Sequence, residues 1–137
     1  LAPLFGEWLA ASWRQRRLGP RPTLLVPLPM HPLKEWRRGY NQSFLLAEEL
    51  HQALGLELMP ALSRRRWTPA QMRLDRAERQ RNLKAAFQLR RGYQVAREGV
   101  LLVDDVLTTG ATLAAASQTL LRAGAAFVDV LTLARGQ

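Results

Sequence analysis

Two adjacent carboxylates followed by a threonine-rich turn are the residues of this sequence best suited to chemistry. Asp104 and Asp105 come directly after the apolar run 100–103, and the turn 108–112 follows a few residues later. Backbone N–H groups of such a turn, at the start of a helix, suit a phosphate monoester, and threonine hydroxyls add further donors. The two carboxylates can accept hydrogen bonds from sugar hydroxyls beside that phosphate. The pattern therefore predicts a ribose 5-phosphate site.

Three other interpretations of the same run are weighed. A Walker-B-type acidic strand would need a GxxxxGK[ST] loop, which the sequence lacks. A phospho-acceptor receiver domain also places paired aspartates after a strand, but it would not explain Thr-Thr-Gly-Ala-Thr at 108–112. An ordinary strand end before a threonine-capped helix would explain the two aspartates alone. It explains the whole run 100–112 less well, so we favour the phosphate site.

The run 100–112 resembles the phosphoribosyl-pyrophosphate (PRPP) motif of type I phosphoribosyltransferases. More of the chain resembles one branch of them, the ComF/GntX-like family associated with competence and DNA uptake. The matching blocks occur in order at Val26–Pro29, Arg38–Gln42, Thr68–Gln71 and Arg79–Phe87. The resemblance covers about residues 24–134. It implies an α/β protein with the type I phosphoribosyltransferase fold, an open and mostly parallel sheet flanked by helices, with a small flexible hood.

The resemblance also implies roles for single residues. Asp104 and Asp105 would bind the ribose, and the 5′-phosphate would lie against Thr108, Thr109, Gly110, Ala111 and Thr112. The pyrophosphate loop would comprise Pro29, Met30 and His31, and the pocket would be framed by Arg38, Asn41 and Gln42. His31 is alternatively a packed or surface loop residue, and Asn41 is alternatively the cap of a helix that begins near Ser43.

Residues 63–84 would form the mobile hood over the site. Its candidate ligand contacts are Arg64, Arg79, Arg81 and Asn82. Arginines there would neutralise the departing pyrophosphate. The alternative is a solvent-facing helix whose arginines pair with Asp75 and Glu78.

A transferase of this kind would use Mg²⁺ bound mainly by pyrophosphate oxygens and water, so no protein side chain is assigned as a metal ligand. A nitrogen nucleophile would displace pyrophosphate at C1 of PRPP. No strong general base is evident and the acceptor is unidentified. The alternative function is a non-catalytic competence accessory protein that binds single-stranded DNA or a partner protein. Trp36, Tyr40 and Trp67 lie beside arginines, as a base-stacking platform requires, but they also suit a core.

The hydrophobic pattern supplies the elements that must position these residues. Helices are predicted at Leu4–Arg17, Ser43–Leu54, Pro69–Asn82 and Ala111–Arg122. Strands are predicted at Thr23–Pro27, Leu56–Leu62, Ala85–Leu89, Gly99–Asp104 and Phe127–Leu133. The first of these helices with its linker occupies 1–22. In the second helix we place Phe44, Leu45, Ala47, Leu50 and Leu54 on one apolar stripe, with Gly55 as its cap.

Length and composition limit the class of protein. The chain has 137 residues, 47% of them hydrophobic, which suits a single domain spanning 1–137. Its net charge is +9, and residues 63–97 hold eleven basic and two acidic side chains, which suggests a polyanionic ligand. The chain has no cysteine, which excludes disulfides and thiolate metal sites within it. Apolar runs are too short for a membrane span, so we expect a soluble, cytoplasmic protein.

Two further expectations concern what accompanies this domain. The chain begins at Leu1, not methionine, and members of the resembled family commonly begin with a four-cysteine zinc-ribbon-like segment. We therefore expect that such a segment precedes Leu1 in the whole protein; the alternative is a naturally short variant without it. Trp8 and Trp13 on the first helix suggest a homodimer interface, and competence proteins are the expected protein partners.

Overall fold

The computed structural model describes residues 19–29, 42–64, 86–107 and 110–135. Their elements are β1 (Leu24–Pro27), α1 (Gln42–Leu54), β2 (Glu57–Leu58), β3 (Leu62–Arg64), β4 (Phe87–Leu89), β5 (Gly99–Leu107), α2 (Ala111–Arg122) and β6 (Phe127–Arg135). The predicted helices at 4–17 and 69–82 lie outside the described residues. The predicted boundaries of the helices near 43 and 111 are confirmed to within one residue.

The main sheet has four parallel strands in the order β2-β1-β5-β6. β1 and β5 are central, and the chain leaves them in opposite directions, through α1 toward β2 and through α2 toward β6. Parallel strands with helical crossovers confirm the predicted α/β class. In such sheets a crevice forms at the carboxyl ends of the two strands where the direction reverses, and ligands bind there.

Alternate residues of β1 and β5 supply two cores on opposite faces of the sheet. Leu25 and Leu101 pack against the α1 side, with Leu50 of α1. Val26 and Leu102 face α2 and the small β3–β4 sheet on the other side. Complete burial of a leucine contributes about 1.5–3 kcal/mol, so this pair of strands anchors the domain.

The stripe predicted for α1 was wrong at one position. Leu45 is 45% exposed, whereas its neighbour Leu46 is buried. Ala47 and Leu50 are buried as predicted. Residues 45 and 47 are separated by about 200° around a helix, so they cannot share a narrow face. The buried face instead includes the polar Ser43, the second residue of the helix.

The single strand predicted at 56–62 is two strands in different sheets. β2 pairs with β1 in parallel, whereas β3 pairs with β4 in an antiparallel two-stranded sheet. The N–H of Ala61 donates to the Met59 carbonyl at 2.8 Å, closing a tight turn over Pro60. Proline has no N–H for a sheet and favours such a turn, so it separates the two strands.

A glycine with positive φ lies at each end of α2. At the carboxyl end, Gly124 has φ +101° and its N–H donates to Leu121 O, while the N–H of Ala125 donates to Leu120 O. These two bonds form a Schellman motif, which ends the helix. At the amino end the N-cap is Gly110, with φ 83°.

Candidate ribose-phosphate site

The carboxyl ends of β1 and β5 form the floor of the candidate site. Pro27 is in register with Val103, and the N–H of Leu28 donates to the Val103 carbonyl at 2.8 Å. Leu28 therefore follows β1 at the level where Asp104 follows Val103, and Pro29 lies one residue further along this edge. Because the chain diverges from these two strands, their ends border the open crevice described above.

The amino end of α2 faces this same edge, since α2 follows β5 directly. Gly110 adopts a left-handed conformation (φ 83°, ψ −22°), and its carbonyl accepts the first helical bond, from the N–H of Ala114 at 2.9 Å. The first N–H groups of a helix have no acceptor within the helix, and they concentrate partial positive charge at that end. Thr112, in this first turn, is half-buried and carries a hydroxyl. The arrangement suits an anion such as a phosphate monoester.

Asp104 connects this edge to α1. The Ser43 hydroxyl donates to Asp104 Oδ1 at 3.1 Å, and Ser43 is only 3% exposed. Asp104 itself is half-buried. The serine bond fixes one carboxylate oxygen at the end of β5, where a sugar hydroxyl could approach the carboxylate.

Arg64 brings a positive charge from the two-stranded sheet. It ends β3, is paired in register with Phe87, and its guanidinium lies over the Phe87 ring, 5.4 Å from the centroid. Burial lowers the pKa of Arg64, and the neighbouring Asp104 carboxylate partly opposes that shift. Its Nε atom is buried, and within the described part of the chain it has no hydrogen-bond partner. Arg64 is therefore a partly desolvated cation, close enough to Asp104 for the two charges to interact.

The structure brings together several of the residues predicted for the site. Asp104, Arg64, Pro29 and the helix start at 110–112 belong to elements that meet at the carboxyl edge of the sheet. Asp105 continues β5, and Gln42 is the first residue of α1. The remaining predicted residues lie outside the described residues, and their roles stay predictions. They are Met30, His31, Arg38, Asn41, Arg79, Arg81, Asn82, Thr108 and Thr109.

Sequence reasoning missed two residues of this cluster. Ser43 was noted only as the start of a helix, although its hydroxyl contacts a carboxylate 61 positions away. For Phe87 the sequence indicates only a predicted strand and the end of a matching block, although its ring lies under the guanidinium of Arg64. A polar residue on the buried face of an amphipathic helix was the available signal for Ser43, and no local signal indicated the Phe87 contact.

The described residues contain neither a metal-binding cluster nor a membrane-spanning helix. In the described ranges, no three histidine, aspartate or glutamate side chains cluster so that they could hold a metal ion. No helix in those ranges is long and apolar enough to cross a membrane.

The geometry agrees with the family to which the sequence belongs. The model of the phosphoribosyl transferase domain matches residues 41–137, well over half of the chain. This chain is a member of that family. The fold is that of the type I phosphoribosyltransferases, as the resemblance of the PRPP motif implied.

Curated relatives of this chain carry names from DNA utilisation and competence. The chain is 43% identical over 117 residues to the DNA utilization protein YhgH of Salmonella typhi, covering 85% of this chain and 51% of that protein. It is 38% identical over 118 residues to competence protein F of Haemophilus influenzae, covering 83% of this chain and 51% of that protein. The resemblance to the ComF/GntX-like family is thus confirmed. The chain spans about half the length of these relatives.

Solved structures show the same fold at low sequence identity. An allosteric regulatory enzyme of purine biosynthesis matches with a TM-score of 0.64 at 20% identity, covering 96% of this chain and 25% of that one. The purine phosphoribosyltransferase of Pyrococcus horikoshii matches with a TM-score of 0.60 at 16% identity, covering 96% of this chain and 70% of that one.

Proposed function

We propose that this domain binds PRPP or ribose 5-phosphate in the crevice at the carboxyl ends of β1 and β5, as a phosphoribosyltransferase-like protein related to competence and DNA-utilisation proteins. One observation carries the proposal. β5 carries Asp104 and Asp105 shortly before its last residue, Leu107, and four residues after Leu107 the helix α2 begins behind a left-handed Gly110. A sugar-binding carboxylate and a phosphate-binding helix start are thereby separated by a single short loop. We place the protein in the cytoplasm, where PRPP is available.

Each part of the site has a chemical task in this proposal. The 5′-phosphate accepts hydrogen bonds from the first-turn N–H groups of α2 and from the hydroxyl of Thr112. Asp104 accepts hydrogen bonds from ribose hydroxyls, with Asp105 as the second carboxylate. Arg64 balances negative charge on the ligand and on Asp104.

Mg²⁺ would accompany PRPP at this site, and the Asp104 carboxylate is the described group that could face it or its water shell. The described residues offer carboxylate oxygens at Asp104 but no cluster that would hold a resident ion. A cation held mainly by pyrophosphate and water needs no such cluster. When bound, Mg²⁺ neutralises charge on the pyrophosphate. The protein residues bind the phosphate, orient the ribose and oppose the pyrophosphate with positive charge.

Transfer at this site would form a bond from an acceptor nitrogen to C1 of the ribose and break the bond from C1 to pyrophosphate, which leaves with its electron pair. The acceptor proton would need a base. Within the described part of the chain the one histidine is His51, in the last turn of α1 and bonded to the Leu56 carbonyl. It lies at the end of α1 opposite to Ser43. The proposal therefore names the ligand and leaves the acceptor unassigned.

Isothermal titration calorimetry with Mg·PRPP and with ribose 5-phosphate tests the proposal. We expect binding by the wild-type protein and loss of it in the double variant Asp104→Asn/Asp105→Asn. The matched control is Asp129→Asn, a half-buried aspartate on β6 that is in register with Leu101, away from the carboxyl edge. If neither ligand gives heat at millimolar concentration, the proposal is rejected. Equal binding by the double variant and the wild type also rejects it.

A second candidate function is binding of single-stranded DNA or a protein of the DNA-uptake machinery. The printed names of the relatives, a DNA utilization protein and a competence protein, favour it. So does the exposure of Arg90, Arg91, Arg97 and Arg122 among the described residues. Arg90 lies over the ring of Tyr93, 5.7 Å from its centroid, so one arginine and one aromatic ring are already adjacent.

A salt series with labelled single-stranded DNA tests this candidate. Counterion release predicts a steep loss of affinity as salt rises. The variant Arg90→Ala/Arg91→Ala should weaken binding, and so should replacement of Arg64, Arg65 and Arg66 by alanine if the hood segment contributes. No binding at low salt, or affinity unchanged in both variants, rejects the nucleic-acid function without affecting the PRPP proposal.

A further inference from the structure

The carboxylate of Asp104 is held from two sides by residues of different elements. The Ser43 hydroxyl donates to Oδ1 from the start of α1, and the guanidinium of Arg64 attracts the same carboxylate from the end of β3. We propose that Ser43 and Arg64 are positioning residues, which orient the Asp104 carboxylate as an acceptor and so determine selectivity for the hydroxyls of the sugar. This inference rests on the ribose-phosphate site proposed above.

Ser43 fixes the orientation of the carboxylate. Its side chain is almost fully buried, so the hydroxyl needs a protein partner, and Asp104 Oδ1 accepts its proton at 3.1 Å. The terminal torsion of a carboxylate is intrinsically soft, so this bond restrains the orientation of the two carboxylate oxygens.

Arg64 places a positive charge near the carboxylate. The position of the guanidinium is set independently of Asp104, because β3 pairs with β4 in the register Arg64↔Phe87 and the cation lies over the buried Phe87 ring. A partly desolvated cation interacts more strongly with a nearby anion than an exposed one does. Arg64 therefore attracts the Asp104 carboxylate from a position that the β3–β4 pairing fixes.

The three residues also connect three parts of the fold. The distance in sequence between Ser43 and Asp104 is 61 positions, and Arg64 lies in a second sheet. The two-stranded sheet β3–β4 is thus coupled electrostatically to the sugar end of β5. A ligand hydroxyl that bonds to Asp104 meets a carboxylate whose orientation both neighbours already restrain. Binding therefore costs little conformational entropy of the Asp104 side chain.

The experiment compares two sugar phosphates by calorimetry. Ribose 5-phosphate carries the hydroxyls, whereas 2,3-dideoxyribose 5-phosphate keeps the phosphate but lacks both hydroxyls beside it. The wild-type protein should prefer ribose 5-phosphate by about 100-fold, since each hydrogen bond to a charged group is worth roughly tenfold in affinity. Ser43→Ala and Arg64→Met should reduce that ratio to about tenfold or less, and Ser43→Thr should largely restore it.

The ratio of the two sugar-phosphate affinities distinguishes a positioning role from a general loss of affinity. A variant that merely destabilised the fold, or that weakened attraction for any anion, would lower both affinities and leave their ratio unchanged. Arg90→Met is the matched control for Arg64→Met, since Arg90 also lies over an aromatic ring but is exposed. Thr119→Ala is the control for Ser43→Ala, because its buried hydroxyl bonds the Ala115 carbonyl at 3.0 Å and not Asp104.

Thermal unfolding without ligand tests the contacts of Asp104 independently of sugar binding. In thermal unfolding, Ser43→Ala/Asp104→Asn and Arg64→Met/Asp104→Asn should each lose less Tm than the sum of their single variants, because contacting residues are coupled. Arg90→Met/Asp104→Asn should be additive. If the wild-type protein binds ribose 5-phosphate but the ratio is unchanged in Ser43→Ala and Arg64→Met, the inference is wrong. If the wild-type protein binds neither sugar, the proposed function fails, and additive Tm losses would reject the positioning as well.

Discussion

The two halves of β5 differ in what their side chains contact. From Val100 to Val103 every side chain is fully buried, divided between the two cores on either face of the sheet. At Asp104 and Asp105 the strand becomes polar, and Asp104 contacts Ser43 at the start of α1. One half of the strand stabilises the domain, and the other half presents its candidate binding groups.

This difference shows how a parallel sheet separates stability from function. The buried half fixes the position of the strand to within a fraction of an ångström, because a close-packed core has few alternative arrangements. The backbone at the polar end is therefore also held in a defined position, although its side chains contribute little to the core. Substitutions in the first half should therefore affect stability, and those at the second half should affect ligand affinity.

Leu101→Ala should give the largest effect and only on stability. The leucine is fully buried on the α1 side of the sheet, so its truncation should cost about 3 kcal/mol of unfolding free energy in urea titrations. Leu121→Ala is the matched control, since Leu121 is 45% exposed and should change stability by less than about 0.5 kcal/mol. Ribose 5-phosphate affinity of the folded variants should equal that of the wild type. A large affinity loss in Leu101→Ala would contradict the separation.

Asp104→Asn should give the opposite result. Removal of the charge should weaken ribose 5-phosphate binding by about 10–100-fold, because hydrogen bonds to a charged acceptor are worth about 1.5–3 kcal/mol. Its unfolding free energy should change less than that of Leu101→Ala, since Asp104 is half-buried and contributes little to the apolar cores. Calorimetry and urea unfolding of the same preparation measure both quantities. Equal affinity of variant and wild type would remove the functional half of the comparison.

Gly99→Ala tests the first residue of the buried half. A Cβ at this position would lie 2.3 Å from Cζ of Phe127, its partner in the register between β5 and β6. We expect a loss of about 1–3 kcal/mol from overpacking, with unchanged ligand affinity. The second substitution Phe127→Leu should recover part of that loss by removing the ring atoms that clash. Failure of this rescue would show that the glycine is needed for another reason.

Gly110→Ala should have the smallest effect on stability and a distinct signature. Its left-handed conformation costs a residue with a Cβ about 1–2 kcal/mol, so the variant loses about that much in unfolding experiments. The matched control is Gly55→Ala, which has φ +72° at the end of α1 away from the site, with open space around the new Cβ. Both variants should lose similar stability, but only Gly110→Ala should weaken phosphate binding. Equal phosphate affinity in the two variants would argue against the helix start as the phosphate site.

Local patterns in the sequence predicted most of the elements, and their failures have clear physical reasons. The helix at 111–122 and its glycines could be predicted because caps and periodicity are local properties. The end of β5 could not, because the strand continues to Leu107 only through pairing with Arg135 on β6. The division of 56–62 was also missed, since the two partners of this segment, β1 and β4, are distant in sequence.

The sequence by itself determined the chemistry available to this protein. Asp104, Asp105 and the glycine at 110 lie close together along the chain, so their pattern and its resemblance to a PRPP motif could be recognised without coordinates. Only the tertiary structure decided which other residues act on that chemistry. Ser43, Arg64 and Phe87 meet Asp104 or each other through sheet pairing and helix packing, and contacts between residues so far apart in the chain leave no periodic or local signal.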